Sequence, residues 1–182
     1  MKYPEKQGLI LLYTGNGRGK TTAALGTALR ACGHGMRVAM VQFIKQPKVY
    51  GELNALRFFE TEQPPLFEIF SMGRGCTWEE PDQAVQCEAA GQTWQVCQEK
   101  VLSTLYDLVI WDEIHCALEY GFLAISPVLT FLRNFRPRNV HILLTGRHAN
   151  PELIDLADMV SDVQEIKHHY ANGVKGQYGI EF

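Results

Sequence analysis

Three features of the sequence predict an α/β fold with a mainly parallel central sheet. Short apolar runs alternate with helical patterns from end to end. Several of those runs are continuously apolar rather than alternating, as strands are when both sheet faces are covered. No internal repeat, low-complexity tract or Pro/Ser-rich linker divides the series, and 182 residues suit a single domain (1–182) with a sizeable core.

The first strand is expected at Leu9–Tyr13, an apolar run that breaks at a glycine cluster, and an alanine-rich helix follows near Lys20–Cys32. The second strand is Arg37–Phe43. Residues 45–80 form the irregular part, with Pro47, Pro64, Pro65, Gly73 and Gly75, and they enclose a short third strand at Phe67–Phe70. A long helix is expected near Asp82–Leu105, then a strand at Leu108–Trp111, a helix near Pro127–Phe135 and a strand at Val140–Thr145. A helix near Pro151–Leu156 and a last strand near Val160–Ile166 close the series. In an open parallel sheet, connections at the carboxyl ends of strands build the ligand site, so the irregular segment after the second strand belongs there.

Composition narrows the function classes. The chain is 46% hydrophobic and 20% charged, ordinary for a globular protein. A net charge of −3 without like-charge runs argues against a general nucleic-acid binder. No apolar run approaches the ~20 residues of a membrane helix, so no membrane partner is expected. The polar opening "MKYPEKQ" gives no signal peptide. Five cysteines without a Cys-x-x-Cys pair fit a reducing cytoplasm, with Cys32, Cys87, Cys97 and Cys116 falling in helical patterns as small core residues. His115 beside Cys116 and the His168–His169 pair lack the spacing of a zinc site.

The stretch "GLILLYTGNGRGKTTAA" carries the clearest chemistry. Gly15, Gly17 and Gly19 let the backbone turn with its N–H groups aimed at an anion, with Asn16 and Arg18 between them. The helix that starts near Gly19 adds its positive dipole end. Lys20 supplies a mobile cation for phosphate oxygens, Thr21 a hydroxyl for Mg²⁺, and Thr22 completes the motif. This is a phosphate-binding P-loop, although Thr14 stands where the common spacing has glycine. With the strand order it predicts a P-loop NTPase, RecA-like fold of three layers. "YDLVIWDE" is the form of a Walker B strand, ending in Asp112 and Glu113, which are expected to help hold Mg²⁺. Glu113 is the water-activating base if the protein hydrolyses ATP. Arg147 follows the strand in "HILLTGRHAN" and is either a bidentate phosphate partner or a solvated loop arginine. In "SMGRGCTWEEPD", Trp78 near Cys76 either lines the pocket of a flat apolar ligand or plugs the loop onto the sheet.

The segments "YTGNGRGKTTAALGTALRACGHG", "VAMVQFIK", "TWE", "VIWDE", "LLTGRHANPELIDLAD" and "KHHYANGVKGQYGIEF" span nearly the whole chain. In this order they resemble the ATP:corrinoid adenosyltransferases of the BtuR/CobA/CobO type, and Thr14 belongs to that family's version of the loop. The resemblance implies transfer of the 5′-deoxyadenosyl group from ATP to Co(I) of a corrinoid, either cobalamin or cobyrinic acid a,c-diamide. Triphosphate leaves whole, and ATP is held so that C5′ faces the corrinoid. It further implies a homodimer and an electron donor such as a flavoprotein. Displacement at carbon by Co(I) transfers no proton, so Asp112 and Glu113 position metal, while Lys20 and Arg147 neutralise the leaving group. Family members usually carry phenylalanine where this chain has Cys76, and in them that phenylalanine with the loop tryptophan, here Trp78, helps expel the lower axial ligand of Co(II). The segment ahead of the first strand is short beside members that carry a lid. The competing classes are a RecA-like ATPase yielding ADP and phosphate, a small-molecule kinase, for which no arginine-rich lid is found, and a nucleotide-binding module without turnover.

Overall fold

The computed structural model describes residues 7–44, 51–56, 64–73 and 82–180. Within them a parallel sheet of six strands is ordered β3-β2-β4-β5-β1-β6. The strands are β1 Ile10–Thr14, β2 Val38–Gln42, β3 Phe67–Ser71, β4 Leu108–Asp112, β5 His141–Thr145 and β6 Met159–Asp162. The helices are α1 Lys20–Gly33, α2 Gly51–Leu56, α3 Gln83–Leu102, α4 Ile114–Glu119, α5 Ile125–Asn134 and α6 Pro151–Leu156. A 3₁₀ turn follows at His169–Asn172.

Alternate residues of each strand feed two cores, because successive side chains of a strand point to opposite sheet faces. On one face Ala24 and Ala28 of α1 and Leu56 of α2 pack against Val38, Met40, Leu108, Ile110 and Leu143. On the other, α3 to α6 cover Leu12, Ala39, Val41, Val109, Trp111, Ile142 and Leu144. Small residues on α1 let it lie close to the sheet, and on the far face bulk is supplied by aromatics. Trp94 of α3 meets Trp111 and Phe131 edge-on, with centroids 5.2 and 5.5 Å away, the geometry that ring quadrupoles favour. The three-layer α/β fold is therefore as the sequence predicts.

Differences from expectation have local causes. The long helix stops at Leu102 rather than Leu105, because Thr104 takes a left-handed φ of 52° and Ser103 Oγ accepts from Leu105 N. Its start is set by Asp82, whose carboxylate caps Ala84 N at 2.9 Å. The last strand ends at Asp162, four residues before Ile166, because Val163 turns to the glycine loop. Helix α2 lies inside the stretch expected to be irregular, and α4 follows β4 without a sequence signal of its own. Among the described residues no helix is long and apolar enough to cross a membrane.

Candidate active site

The connection from β1 runs past β5 and β4 to reach β2, whereas β5 returns to β6 beside β1. At the carboxyl ends of these strands the glycine loop joins β1 to α1. Gly19 has φ 116°, a conformation that glycine adopts without penalty, and it caps α1 so that Lys20 begins the helix. Lys20 is buried, and its ammonium donates to Gly15 O at 2.6 Å and Gly17 O at 2.7 Å, bracing the loop from within. Burial holds its pKa below the usual lysine range; Glu113 opposes that shift and Arg147 adds to it. Thr14 fits because it is still strand. Its carbonyl accepts from Val163 N and its hydroxyl from Ala149 N, tying β1 to the segments after β5 and β6.

Beside the loop lies a buried polar row. Asp112 is fully buried, and its Oδ1 accepts from the hydroxyls of Thr21 at 2.9 Å and Thr145 at 2.8 Å, while Oδ2 accepts from Gln42 Nε2 at 2.9 Å. A buried carboxylate is tolerable only with donors of this kind. Thr21 itself lines the cleft, with Asp112 behind it. Glu113 holds a left-handed φ of 63°, rare for a side chain of its size, and strain of this type collects at functional sites. Two bonds fix it: Thr145 Oγ1 accepts from its N–H at 3.0 Å, and the Cys116 thiol donates to its Oε2 at 3.0 Å. Burial first, then the Glu113 carboxylate, pushes the Cys116 thiol up to about 12, so it remains a protonated donor.

The cleft encloses about 310 Å³. Asn16, Gly17, Arg18, Gly19, Lys20, Thr21 and Thr22 form its floor, and Glu113 and Arg147 its sides. Gly15 lies just outside it, serving through its carbonyl. Arg147 is exposed to the cleft, so the structure brings together nearly every nucleotide-side residue expected from sequence. Cys76 and Trp78 lie outside the described residues.

This arrangement can bind a polyphosphate with a divalent cation, and comparison with known proteins decides the class. The profile of the family described as ATP:corrinoid adenosyltransferase BtuR/CobO/CobP matches residues 6–182. A corrinoid adenosyltransferase from Sinorhizobium sp is 36% identical over 98% of this chain and 82% of its own length. The corrinoid adenosyltransferase CobA of Salmonella typhimurium is 39% identical over 98% of this chain and 87% of its own. This chain belongs to the ATP:corrinoid adenosyltransferase family. It is a transferase that moves an adenosyl group to a corrinoid. The P-loop fold is also seen in a KaiC-like protein from Pyrococcus horikoshii, at TM-score 0.52 and 17% identity, covering 91% of this chain and 76% of that one.

Several residues of this adenosyltransferase cleft escape the sequence reading. Glu52 of α2, Glu165 and His168 complete the wall. Gln42 and Thr145 hold Asp112, and Cys116, read from sequence as core, holds Glu113. His148, at φ 51°, bridges Glu119 through Nδ1 and Asn16 Oδ1 through Nε2 at 3.0 Å, clamping the glycine loop to α4. The one signal for Gln42 and Thr145 is a polar residue ending an otherwise apolar strand, "VAMVQ" and "HILLT".

Proposed function

We propose that this adenosyltransferase transfers the 5′-deoxyadenosyl group of ATP to Co(I) of cobalamin or cobyrinic acid a,c-diamide, with triphosphate leaving whole. The electron pair of Co(I) forms the Co–C5′ bond, the C5′–O bond breaks, and its electrons leave on the triphosphate oxygen. Cobalt ends formally as Co(III). The observation that carries this reading is the convergence of the glycine loop, Lys20 and Arg147 on one cleft in which Glu113 accepts from the Cys116 thiol. Such a site can neutralise and align a leaving group, and displacement at carbon by Co(I) calls for no proton transfer.

Mg²⁺ fits the donor set. The Thr21 hydroxyl and the Glu113 carboxylate face the cleft, and magnesium prefers a few oxygen ligands plus substrate phosphates to an all-protein cage. When bound there it supplies charge neutralisation on the phosphate oxygens. Thr21 and Glu113 would hold it, and Asp112, expected from sequence as a third holder, would act through the hydrogen bond it accepts from Thr21. The corrinoid side falls to Trp78 and Cys76, an electron donor such as a flavoprotein supplies the reduction, and the working form is a homodimer in the cytoplasm. Support for these comes from family membership.

The test is incubation with ATP, Mg²⁺ and chemically reduced corrinoid, followed by identification of the phosphate product. A light-sensitive adenosylated corrinoid with stoichiometric triphosphate is expected. Corrinoid-dependent release of ADP and phosphate overturns the reading in favour of a RecA-like hydrolase.

A further inference from the structure

The turn after β5 is fixed by its backbone. Gly146 N donates to Tyr13 O at 3.3 Å and Ala149 N to Thr14 Oγ1 at 3.1 Å, so both ends of the turn hang on the end of β1. A Cβ on Gly146 would lie 2.8 Å from His115 Cβ, so the turn rests directly on the start of α4. Within it His148 sits at φ 51°, a conformation that costs asparagine less than it costs larger side chains. The His148 side chain is 55% exposed, so it fills no gap in the core.

Its ring makes two directed contacts instead. Nδ1 meets Glu119 Oε1 at the end of α4, and Nε2 meets Asn16 Oδ1 at 3.0 Å. A carboxylate and an amide oxygen both only accept, so both ring nitrogens donate and the ring is an imidazolium. His148 is not among the residues that line the cleft, but Asn16 is. With Oδ1 taken by the ring, the end of the Asn16 amide left for the cleft is its amino group, a donor. The reverse arrangement, a neutral ring accepting from that amino group, would aim Oδ1 into the cleft, where an acceptor repels phosphate oxygens. We propose that His148, held by Glu119, is a positioning residue that turns the Asn16 amino group to the phosphates. It thereby adds a side-chain donor to the backbone N–H groups of the glycine loop. This rests on the phosphate site of the function proposed above. Arg147, its neighbour in the turn, lines the same cleft, so one short turn supplies a direct phosphate partner and the support for a second.

Calorimetric titration of the full chain with inorganic triphosphate and Mg²⁺ tests this through binding rather than turnover. His148→Asn keeps a donor for Glu119 and suits the left-handed backbone, but it is too short to reach Asn16. It should weaken triphosphate binding about fivefold, and Asn16→Ala should weaken it by a similar factor. Adding His148→Asn to Asn16→Ala should then cost no more than about 1.5-fold further, because the contact through which His148 acts is already gone. A purely structural role for His148 would cost the same in both backgrounds, whatever either variant does to the melting temperature. In the triphosphate complex, nitrogen NMR should show both ring nitrogens of His148 protonated. A His148→Asn chain that binds as the wild type does, a loss that persists in full beside Asn16→Ala, or a neutral ring in the complex overturns the positioning role and leaves the phosphate site standing. A wild-type chain that binds no triphosphate overturns both.

Discussion

The two walls of the cleft are built in opposite ways. On the side of β1, β4 and β5, Lys20, Asp112 and Thr145 are buried, and each spends its polar atoms on named partners. On the other side, Glu165 and His168 belong to the segment after β6, where Ile166 is 96% exposed and Tyr178 90% exposed. Among its described residues that segment contains only a 3₁₀ turn as regular structure. The buried wall, which holds the phosphates under the proposed function, is thus pre-organised by the same packing that stabilises the fold, and the facing wall is set by local turns. Electrostatic stabilisation of a leaving group needs fixed dipoles that do not reorganise during the reaction. Contacts to the rest of a substrate need no such rigidity, so they can be made by weakly held segments.

The largest effect should come from breaking the rigid side at its charge. Lys20→Ala removes the brace on Gly15 and Gly17 and, under the proposed function, the cation for the leaving group. Loss of one charge-assisted contact in such a site typically costs ~2–4 kcal/mol, a hundredfold or more in rate. Adenosylation at saturating corrinoid is expected to fall by at least that factor. Near-normal turnover would mean that the phosphates bind elsewhere.

Two groups on the rigid side break its rule: Trp111 Nε1 of β4, and His115. His115 in α4 is almost fully buried, neither ring nitrogen has a partner among the described residues, and burial pushes its pKa down to about 4 from 6.5. The unfolded chain therefore binds more protons than the folded one between pH 6.5 and 4, and stability falls as pH drops through that window. Integrated over it, the effect is at most about 3 kcal/mol. Urea unfolding at pH 7 and pH 4.5 should show a smaller acid loss for His115→Leu than for the wild type. Equal losses would assign the acid sensitivity to other groups.

How much of this was legible in the sequence follows the same division. Strand runs could be read to within a few residues because both sheet faces are covered and the runs stay apolar. The glycine loop and Asp112 could be read because their spacing along the chain is itself the signal. Gln42, Ser71 and Thr145 could not. They become neighbours only once the order β3-β2-β4-β5 is known, and a polar residue closing a strand is otherwise unremarked. Glu165 and His168 were hidden for another reason: the last strand was expected to continue to Ile166, which would have put Glu165 in the sheet. It stops at Asp162 because Val163 O accepts from Gly17 N at 2.7 Å.

That hydrogen bond is where the two walls meet, and it offers a smaller perturbation. A Cβ on Gly17 would lie 2.7 Å from Val163 O and from Gln164 backbone atoms, so one of the two segments must move. Overpacking of this kind costs typically about 1–3 kcal/mol. Gly17→Ala should lower the melting temperature and weaken ATP binding together. If the melting temperature falls while the Kd for ATP holds, the C-terminal segment yields and the phosphate side keeps its shape, which would sharpen the contrast.

The smallest effect is expected on the exposed-wall side, from His168→Ala. Its Nδ1 accepts from Tyr170 N at 3.2 Å, and its ring stacks on His169 with centroids 4.6 Å apart. These contacts shape one turn of a mostly exposed segment, and substitutions in such places usually shift stability by no more than about 0.5 kcal/mol. A wall that touches the substrate equally in the ground and transition states contributes uniform binding. Its loss raises KM and leaves kcat alone. His168→Ala should therefore raise the KM for ATP a few-fold, with kcat within about twofold of wild type and an unchanged melting temperature. Steady-state kinetics at saturating corrinoid separates the two parameters. A fall in kcat comparable to that of Lys20→Ala would mean that His168 acts on the transition state. The exposed wall would then be as much a part of the leaving-group machinery as the buried one.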